Sequence, residues 1–578
     1  SQHLRAGAGP DAVHNDDISN FIYENHRLAQ LPDDEDALMF TRYGGTRALR
    51  PPLAFVTSAV VAGLFDAKDT GELRKLFRKG SALLVSLAIA CAFMALWVYF
   101  QHLGIATAGA LLFGLMPQVS FIASYNNDDC SAILAGTLIL LSMVAVYRNG
   151  VGWKTLLLFG FSAGITIISK QSGWILFPTV VLFLLVFVLR HLNKAVLPSV
   201  AAAALMLVVG GWWIAFNMIH YGFDDPLLNK ITRATAEKHS RFEPDRILGY
   251  QAQQAGFQQL VLNNHDEFMT KTLHSTVGHL DWLRLKMGPL HYQFYLLLLI
   301  LGVSVWLIRL ATLMLPGAPS NGRQLLFESI LILAMIIQFS AYVWINIHND
   351  IQTQGKYLLP VSLAALIVIF SGINSAAGLT GRLIRSAGQI SVRFDRNSIT
   401  SLVVVAVGIS SIALHFGALK SYVLPFYRPA MYSEPYKPIE LGAFTPIALS
   451  ESSIARTRNM ENVRFTADGA VSFDASTADP WLVPRTPACA GAIDNSLVRV
   501  VIESKVASAF SVYWDDGDGF NETHKSKKKY KAGTTELYIW IGPRQCKRLR
   551  IDPATRTGQY SIRDLAIATY DIAIPDQN

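Results

Sequence analysis

Along the first 420 residues, apolar side chains come in blocks, and a bilayer crossing needs about 20 largely apolar residues. The blocks fall at roughly 52–65, 80–100, 131–147, 155–170, 174–190, 196–216, 291–308, 325–346, 357–374 and 399–418. A further apolar stretch, 104–124, is interrupted by Pro117. From about residue 430 the period changes. Phe510, Val512 and Trp514, then Leu537 and Ile539, then Leu549 and Ile551 alternate with their neighbours as half-buried strands do, between turns rich in Gly, Asp and Asn. The pattern predicts an α-helical multispanning membrane protein with a C-terminal all-β sandwich of jelly-roll type. Its expected parts are a first external segment at 1–50, a membrane domain at 51–420 with a long external loop at 217–290, and the sandwich at 430–578.

Composition narrows this picture. Apolar types make up 51% of the 578 residues and only 16% are charged, against about 25% in soluble proteins. The deficit is uneven: 33 of the 128 residues from 451 onward are charged, about 26%, against about 13% of the first 450. A soluble enzyme, a disordered chain, a collagen and a disulfide-rich mini-protein are excluded. The net charge of +8 does not indicate a nucleic-acid partner. Much of it sits in short loops between apolar blocks, where Lys and Arg mark the cytoplasmic side. Residues 1–30 hold no secretory signal.

These basic loops predict a topology. Arg74, Lys75, Arg78 and Lys79 precede the block at 80, Arg148 and Lys154 follow the block at 131, and further sets lie at Arg190 with Lys194, Arg309 with Arg323, and Arg382 to Arg396. All five fall on one side only if 104–124 does not cross, which predicts a broken, re-entrant helix there. Residues 1–50, the Asn126–Asp129 turn, the loop 217–290 and everything after about 420 then share the opposite side. That side is the periplasm if the membrane is the inner membrane of a Gram-negative bacterium. The parity also calls for a transmembrane helix ahead of residue 1. The cytoplasmic loops are too short for a nucleotide-binding domain, and neither a P-loop nor a strand-borne GxGxxG is present. Substrates must therefore arrive from the membrane or the outer side.

Ionisable groups near membrane depth are costly and are retained where they act. Asn126, Asn127, Asp128 and Asp129 lie in a row at a turn between apolar segments. Such residues cap helices, yet four exceed what one cap needs. Asp16 and Asp17 precede an amphipathic stretch and suit a general base acting on a hydroxyl, or an ordinary cap. Asp33–Asp36 reads as a solvated acidic loop. Gln354, Gly355, Lys356 and Tyr357 place one cation at the outer mouth of a span, either as a phosphate binder or as a snorkelling interface Lys. Lys170 is a second candidate for anion contact. Arg50 opens an Arg-Pro-Pro-Leu start of the first block and says little alone. His274, His279 and Asp281 do not share one helical face, which argues against a metal site.

In order, Asp16-Asp17-x-x-Asn20-Phe21-x-Tyr23, Arg50-Pro51-Pro52-Leu53, Asn126-Asn127-Asp128 and Gln354-Gly355-Lys356-Tyr357-Leu358-Leu359-Pro360 resemble the D-E-x-x-H-F-x-Y, Q-P-P-L-Y-Y, N-N-D and Q-G-R-Y-L-L-P motifs of the DUF2142 membrane proteins. Those belong to the GT-C superfamily of polyprenyl-phosphate-dependent glycosyltransferases. Ser275 to Trp282 is similar to a degenerate form of a further motif, and the resemblance covers roughly residues 10–420. Asn20, Ala54, Phe55 and Lys356 depart from the motifs; Lys keeps the charge of the usual Arg and loses its bidentate fork. The resemblance implies an inverting enzyme that takes a sugar from a polyprenyl-phosphate donor and passes it to a glycan or lipid acceptor on the outer face. It implies Asp16 or Asp17 as base, with Lys356 and Lys170 on the phosphate. Asn127, Asp128, Asp129, Gln354 and Tyr357 would bind substrate, with Asp128 and Asp129 orienting the sugar or holding a divalent cation. A transporter or flippase for a lipid-linked glycan and a non-catalytic glycan-binding scaffold are the alternatives. No internal repeat is visible and the acids cluster on one face, which favours the enzyme.

In the C-terminal domain, Tyr513 to Glu522 resembles a turn of carbohydrate-binding-module-like appendages, and Lys525 to Lys531 form a basic run. Cys489 and Cys546 lie in what is expected to be an oxidising compartment, so a disulfide between them is predicted.

Overall fold

With no water in a bilayer to bond backbone N–H and C=O groups, apolar blocks cross it as helices, and the described residues up to 424 are mainly helical, with one short strand at Leu285–Lys286. The computed structural model describes residues 12–28, 46–65, 70–189, 192–237, 249–313, 322–386, 396–424, 444–466, 469–485, 491–493, 496–515, 517, 519–520, 525–541, 544–546 and 548–569. The principal helices are α1 (Ala12–Asn25), α2 (Leu53–Gly63), α3 (Thr70–Phe100), α4 (Leu103–Gly114), α5 (Pro117–Ala123), α6 (Asp129–Asn149), α7 (Trp153–Ile167) and α8 (Phe177–Phe187). They continue as α9 (Leu192–Met206), α10 (Trp212–Tyr221), α11 (Phe268–Val277), α12 (Pro289–Thr312), α13 (Gly322–His348), α14 (Ser362–Ser386) and α15 (Arg396–Ala418). Among the described residues seven helices are long and apolar enough to cross a membrane, and α4 with α5 makes a further pair bent by 67°.

Contacts along α3 fix its direction. The Asn127 N–H donates to Ser81 Oγ at 3.0 Å, so α3 passes the Asn126–Asp129 turn in its N-terminal half. At its other end Tyr99 stacks on Tyr147, near the end of α6. The helix thus runs from the face bearing that turn, here the carboxylate face, to the opposite face. Arg74, Lys75, Arg78 and Lys79 lie on the carboxylate face, contrary to the topology expected from the basic loops. The span α4 returns antiparallel to α3, with Leu96 against Gly109 and Ile89 against Gly114. The bent pair α4–α5 therefore crosses and is not re-entrant. The 52–65 block does not cross: Ser58 on α2 touches both Gly80 and Asn126. Eleven residues of helix reach about 16 Å, roughly half a hydrocarbon layer of about 30 Å. The two corrections cancel, so every later loop keeps its expected face.

Pro117 breaks the helix as the sequence indicates, and side chains take up the freed carbonyls. Leu112 O accepts from Tyr295 of α12 (3.1 Å), Gly114 O from Ser120 (3.0 Å), and Leu115 O from His415 Nδ1 of α15 (3.0 Å). At the opposite face, buried Glu328 of α13 accepts from Arg309 (2.7 Å), Tyr99 (2.9 Å) and Gln324 (2.8 Å). Tyr99, which makes one of these bonds, stacks on Tyr147 and Phe327, which also stack on each other.

Residues from 427 onward form a separate compact unit. Its strands are β1 (Ile454–Arg458), β2 (Met460–Phe465), β3 (Val471–Ala475), β4 (Trp481–Pro484), β5 (Gly491–Ile493), β6 (Ser496–Ser504), β7 (Ser508–Asp515), β8 (Lys525–Tyr530), β9 (Gly533–Ile541), β10 (Arg544–Cys546), β11 (Arg548–Asp552) and β12 (Gly558–Thr569). One antiparallel sheet has the order β8-β7-β11-β4-β1, and the other β9-β6-β12-β3-β2, with Thr445–Pro446 added along β12. Val498, Val500 and Ile502 of one sheet and Phe510, Val512, Trp514 and Ile551 of the other share one core. This is the expected sandwich, with β11 and β12 inserted between non-consecutive strands as in a jelly roll. Cys489 lies outside the described residues, and so does any account of its pairing with Cys546.

Candidate functional site

The site is built around the Asn126–Asp129 turn. Asn126 is fully buried and its amide is used from both ends. Its Nδ2 donates to Asp16 Oδ1 (3.1 Å) and Ser19 Oγ (3.0 Å), and its Oδ1 accepts from Ser58 Oγ (3.1 Å). Its carbonyl accepts from Asn15 Nδ2 at 2.9 Å. One turn residue thereby pins α1 and α2 together and holds the buried Asp16. Asp17 also lies on α1, and its side chain is outside the described part; Asp33–Asp36 is outside it altogether. Asn127 is spent on structure: its Oδ1 accepts the Asp129 N–H at 2.9 Å and its Nδ2 donates to Tyr125 OH. The capping reading therefore fits Asn127 and releases the two acids that follow it.

Asp128 and Asp129 meet cations from three separate segments. Arg50 Nη1 lies 2.5 Å from Asp128 Oδ2, and Lys170 Nζ bridges Asp128 Oδ1 (2.8 Å) and Asp129 Oδ1 (2.5 Å). Lys356 Nζ lies 2.9 Å from Asp129 Oδ2. The carboxylates are 3% and 4% exposed, Lys356 7% and Lys170 15%. The Tyr357 ring sits between the lysines, its centroid 5.5 Å from one Nζ and 5.4 Å from the other. A cation over a ring face is attracted to it, so the ring tolerates two ammonium groups close together.

Glycine sets the position of the Lys356 segment. A Cβ at Gly136 on α6 would stand 2.1 Å from Pro360 O, and one at Gly355 would stand 2.2 Å from Thr272 O on α11. Only glycine lets the Gly355–Val361 turn pack against both helices. Gly355 N–H donates to Ser275 Oγ at 2.6 Å, and the Lys170 N–H donates to Ser131 Oγ at 3.1 Å. Gln354 begins the turn, and its carbonyl accepts the Tyr357 N–H at 3.4 Å. Sequence reasoning named Lys170, Lys356, Asp128 and Asp129 separately and passed over Arg50. Its signal was a cation directly before two prolines on the acid-rich side.

The donor set does not fit a divalent cation. Each of the four carboxylate oxygens of Asp128 and Asp129 already faces a cationic side chain. No group of three or more His, Cys, Asp or Glu placed to hold a metal occurs among the described residues. In the loop beyond α10, His274 stacks on Tyr292 at 3.9 Å. Burial, with Lys286 adding to it, lowers His279 to about 4, and burial raises Asp281 against the pull of Arg284.

Residues 50–214 match the family model described as dolichyl-phosphate-mannose-protein mannosyltransferase. That segment contains Arg50, Asp128, Asp129 and Lys170, and the family is one of the GT-C glycosyltransferases. The matching family is not that of the DUF2142 proteins, so this narrower likeness is not shown. No curated protein matches the chain. Among solved structures, the chain is similar to ArnT from Cupriavidus metallidurans at 16% identity, covering 75% of this chain and 72% of ArnT in the apo state, with a TM-score of 0.40. An oligosaccharyltransferase from Archaeoglobus fulgidus aligns at 16% identity over 68% of this chain and 48% of that one, TM-score 0.40. The C-terminal CBM6 of LamC from Zobellia galactanivorans aligns at 12% identity over 22% of this chain and all of its own, TM-score 0.17. In the helical unit, the charged cluster brings together Arg50 just before α2, the start of α6, Lys170 after α7 and the Gly355–Val361 turn.

Proposed function

We propose that the protein is an inverting membrane glycosyltransferase that moves a sugar from a polyprenyl-phosphate donor to an envelope glycan or lipid acceptor. In this reading it works on the periplasmic face of a bacterial inner membrane. The observation that carries it is the convergence of Arg50, Lys170 and Lys356 on one buried spot at the mouth of the spans. A family description that names a dolichyl-phosphate sugar supports it.

The chemistry follows from the charges. A carboxylate, Asp16 or Asp17, takes the proton of the acceptor hydroxyl as its oxygen attacks the anomeric carbon. The bond from that carbon to the phosphate oxygen breaks on the opposite side, and its electron pair leaves with the polyprenyl phosphate. Lys356, Lys170 and Arg50 turn toward the oxygen on which charge develops, an electrostatic stabilisation strongest where water is excluded. Asp128 and Asp129 keep these cations in place while no phosphate is bound. The β-sandwich, in this reading, carries the acceptor glycan.

The test is sugar transfer in membranes from cells making Asp16→Asn, Asp17→Asn and the double variant at equal levels. Removing a general base is expected to cost roughly 10²–10⁴-fold. Full transfer by all three variants would falsify the assignment.

A further inference from the structure

Basic residues at one end of α3 stand on the carboxylate face, away from the other basic loops. Orientation bias gathers Lys and Arg on one side of a membrane, so cations on the other side go against it. Depth along α3 shows what they meet. Tyr99 packs with Tyr147 and Phe327 at the opposite face. At 1.5 Å per residue, a hydrocarbon layer of about 30 Å takes up about 20 residues. α3 therefore leaves the hydrocarbon near Gly80, and Lys75 and Lys79 stand within the next two turns, at headgroup depth. Both side chains are exposed.

Beside them the end of α2 presents an apolar edge. Leu64 is 74% exposed and Phe65 50%, and Lys79 Nζ lies 4.6 Å from the Phe65 ring centroid. Cations over an apolar edge at the hydrocarbon boundary form the pattern of an interfacial anchor, whose strength comes from buried apolar area plus attraction to anionic lipid. Between residues 66 and 79 the sequence holds Lys68, Arg74, Lys75, Arg78 and Lys79 against Asp66, Asp69 and Glu72. The balance is positive.

We propose that Lys75 and Lys79, with Leu64 and Phe65, bind the headgroups of anionic phospholipids in the leaflet on the carboxylate face. The surface keeps the α2–α3 hairpin seated on that leaflet beside the Asn126–Asp129 turn. It uses none of the residues placed in the transfer chemistry, so it stands or falls independently of that reading.

The test uses the full chain in detergent, titrated with phosphatidylglycerol or phosphatidylcholine and read as retained lipid by native mass spectrometry. The parent is expected to retain phosphatidylglycerol preferentially. A surface Lys contributes about a fivefold effect, so Lys75→Gln with Lys79→Gln should weaken that retention roughly 30-fold at low salt, and Lys75→Arg with Lys79→Arg should keep it. Lys79→Gln alone, expected to lose roughly fivefold, repeats the test if the double variant unfolds. Equal retention of the two lipids by the parent overturns the proposal, as does unchanged phosphatidylglycerol retention in the Gln variants. Complete competition by inorganic phosphate also overturns it, because the site would then take a free anion.

Discussion

Lys170 touches both acids of the site, and each acid has one further cation of its own. Removing one partner from a buried ion network costs about 3–5 kcal/mol, because a charge is left without compensation. Lys170→Met should therefore lower stability by that order, measured as denaturant or thermal unfolding in detergent. Asp129→Asn in the same background should recover part of the loss; a Lys170→Met chain as stable as the parent would show that the charges are not coupled. Lys356→Ala should raise the KM for donor more than for acceptor, and equal changes in both would remove it from the phosphate. At this scale the sequence was informative about the acids and lysines, because charges flanked by apolar blocks stand out. Their meeting was not legible. It depends on α6, the Lys170 turn and the Gly355–Val361 turn packing together, and an Arg before an apolar block has an ordinary reading as an interface residue.

Two elements carry predictions of their own. Gly136→Ala places a methyl 2.1 Å from Pro360 O, a backbone atom, while a methyl added at Gly63 meets nothing within 4 Å. Gly136→Ala should cost about 1–3 kcal/mol as an overpacking change and displace Lys356, seen as reduced transfer; Gly63→Ala should leave both properties unchanged. The loop of His279 should respond to pH. Burial lowers this histidine from the usual 6.5 to about 4, so the folded chain holds fewer protons there than the unfolded chain between those values. Its contribution to stability is complete above pH 6.5 and is lost as pH falls toward 4. Protection factors across 279–286, exchange rates corrected for the intrinsic pH dependence, should fall from pH 7 to pH 5 in the parent and less so in His279→Gln. Among elements, the long spans were plain from hydropathy. The 52–65 and 104–124 segments exchanged roles because apolar content does not report where a helix ends, and eleven residues of helix fall short of a crossing.

For the whole molecule, the two-part division was readable from charge density alone, and the helical and β-sandwich parts are as expected. The placement of Arg74–Lys79 was not readable, because the orientation rule treats every basic loop as a topology signal. Single cysteines at Lys75 and at Lys154 should therefore react from opposite sides of the membrane with an impermeant maleimide, measured over the parent's own labelling; labelling of both from one side would return α3 to the orientation first expected. The joint between α4 and α5 has a mechanical meaning as well. Its carbonyls are held by Tyr295 of α12 and His415 of α15, so three spans share one set of backbone bonds. Drawn from a bilayer by an atomic-force tip, those three helices should come out together in one large rupture, and Tyr295→Phe with His415→Leu should split that event into smaller steps. A break in a helix, which usually marks a weak point, serves here as a rivet.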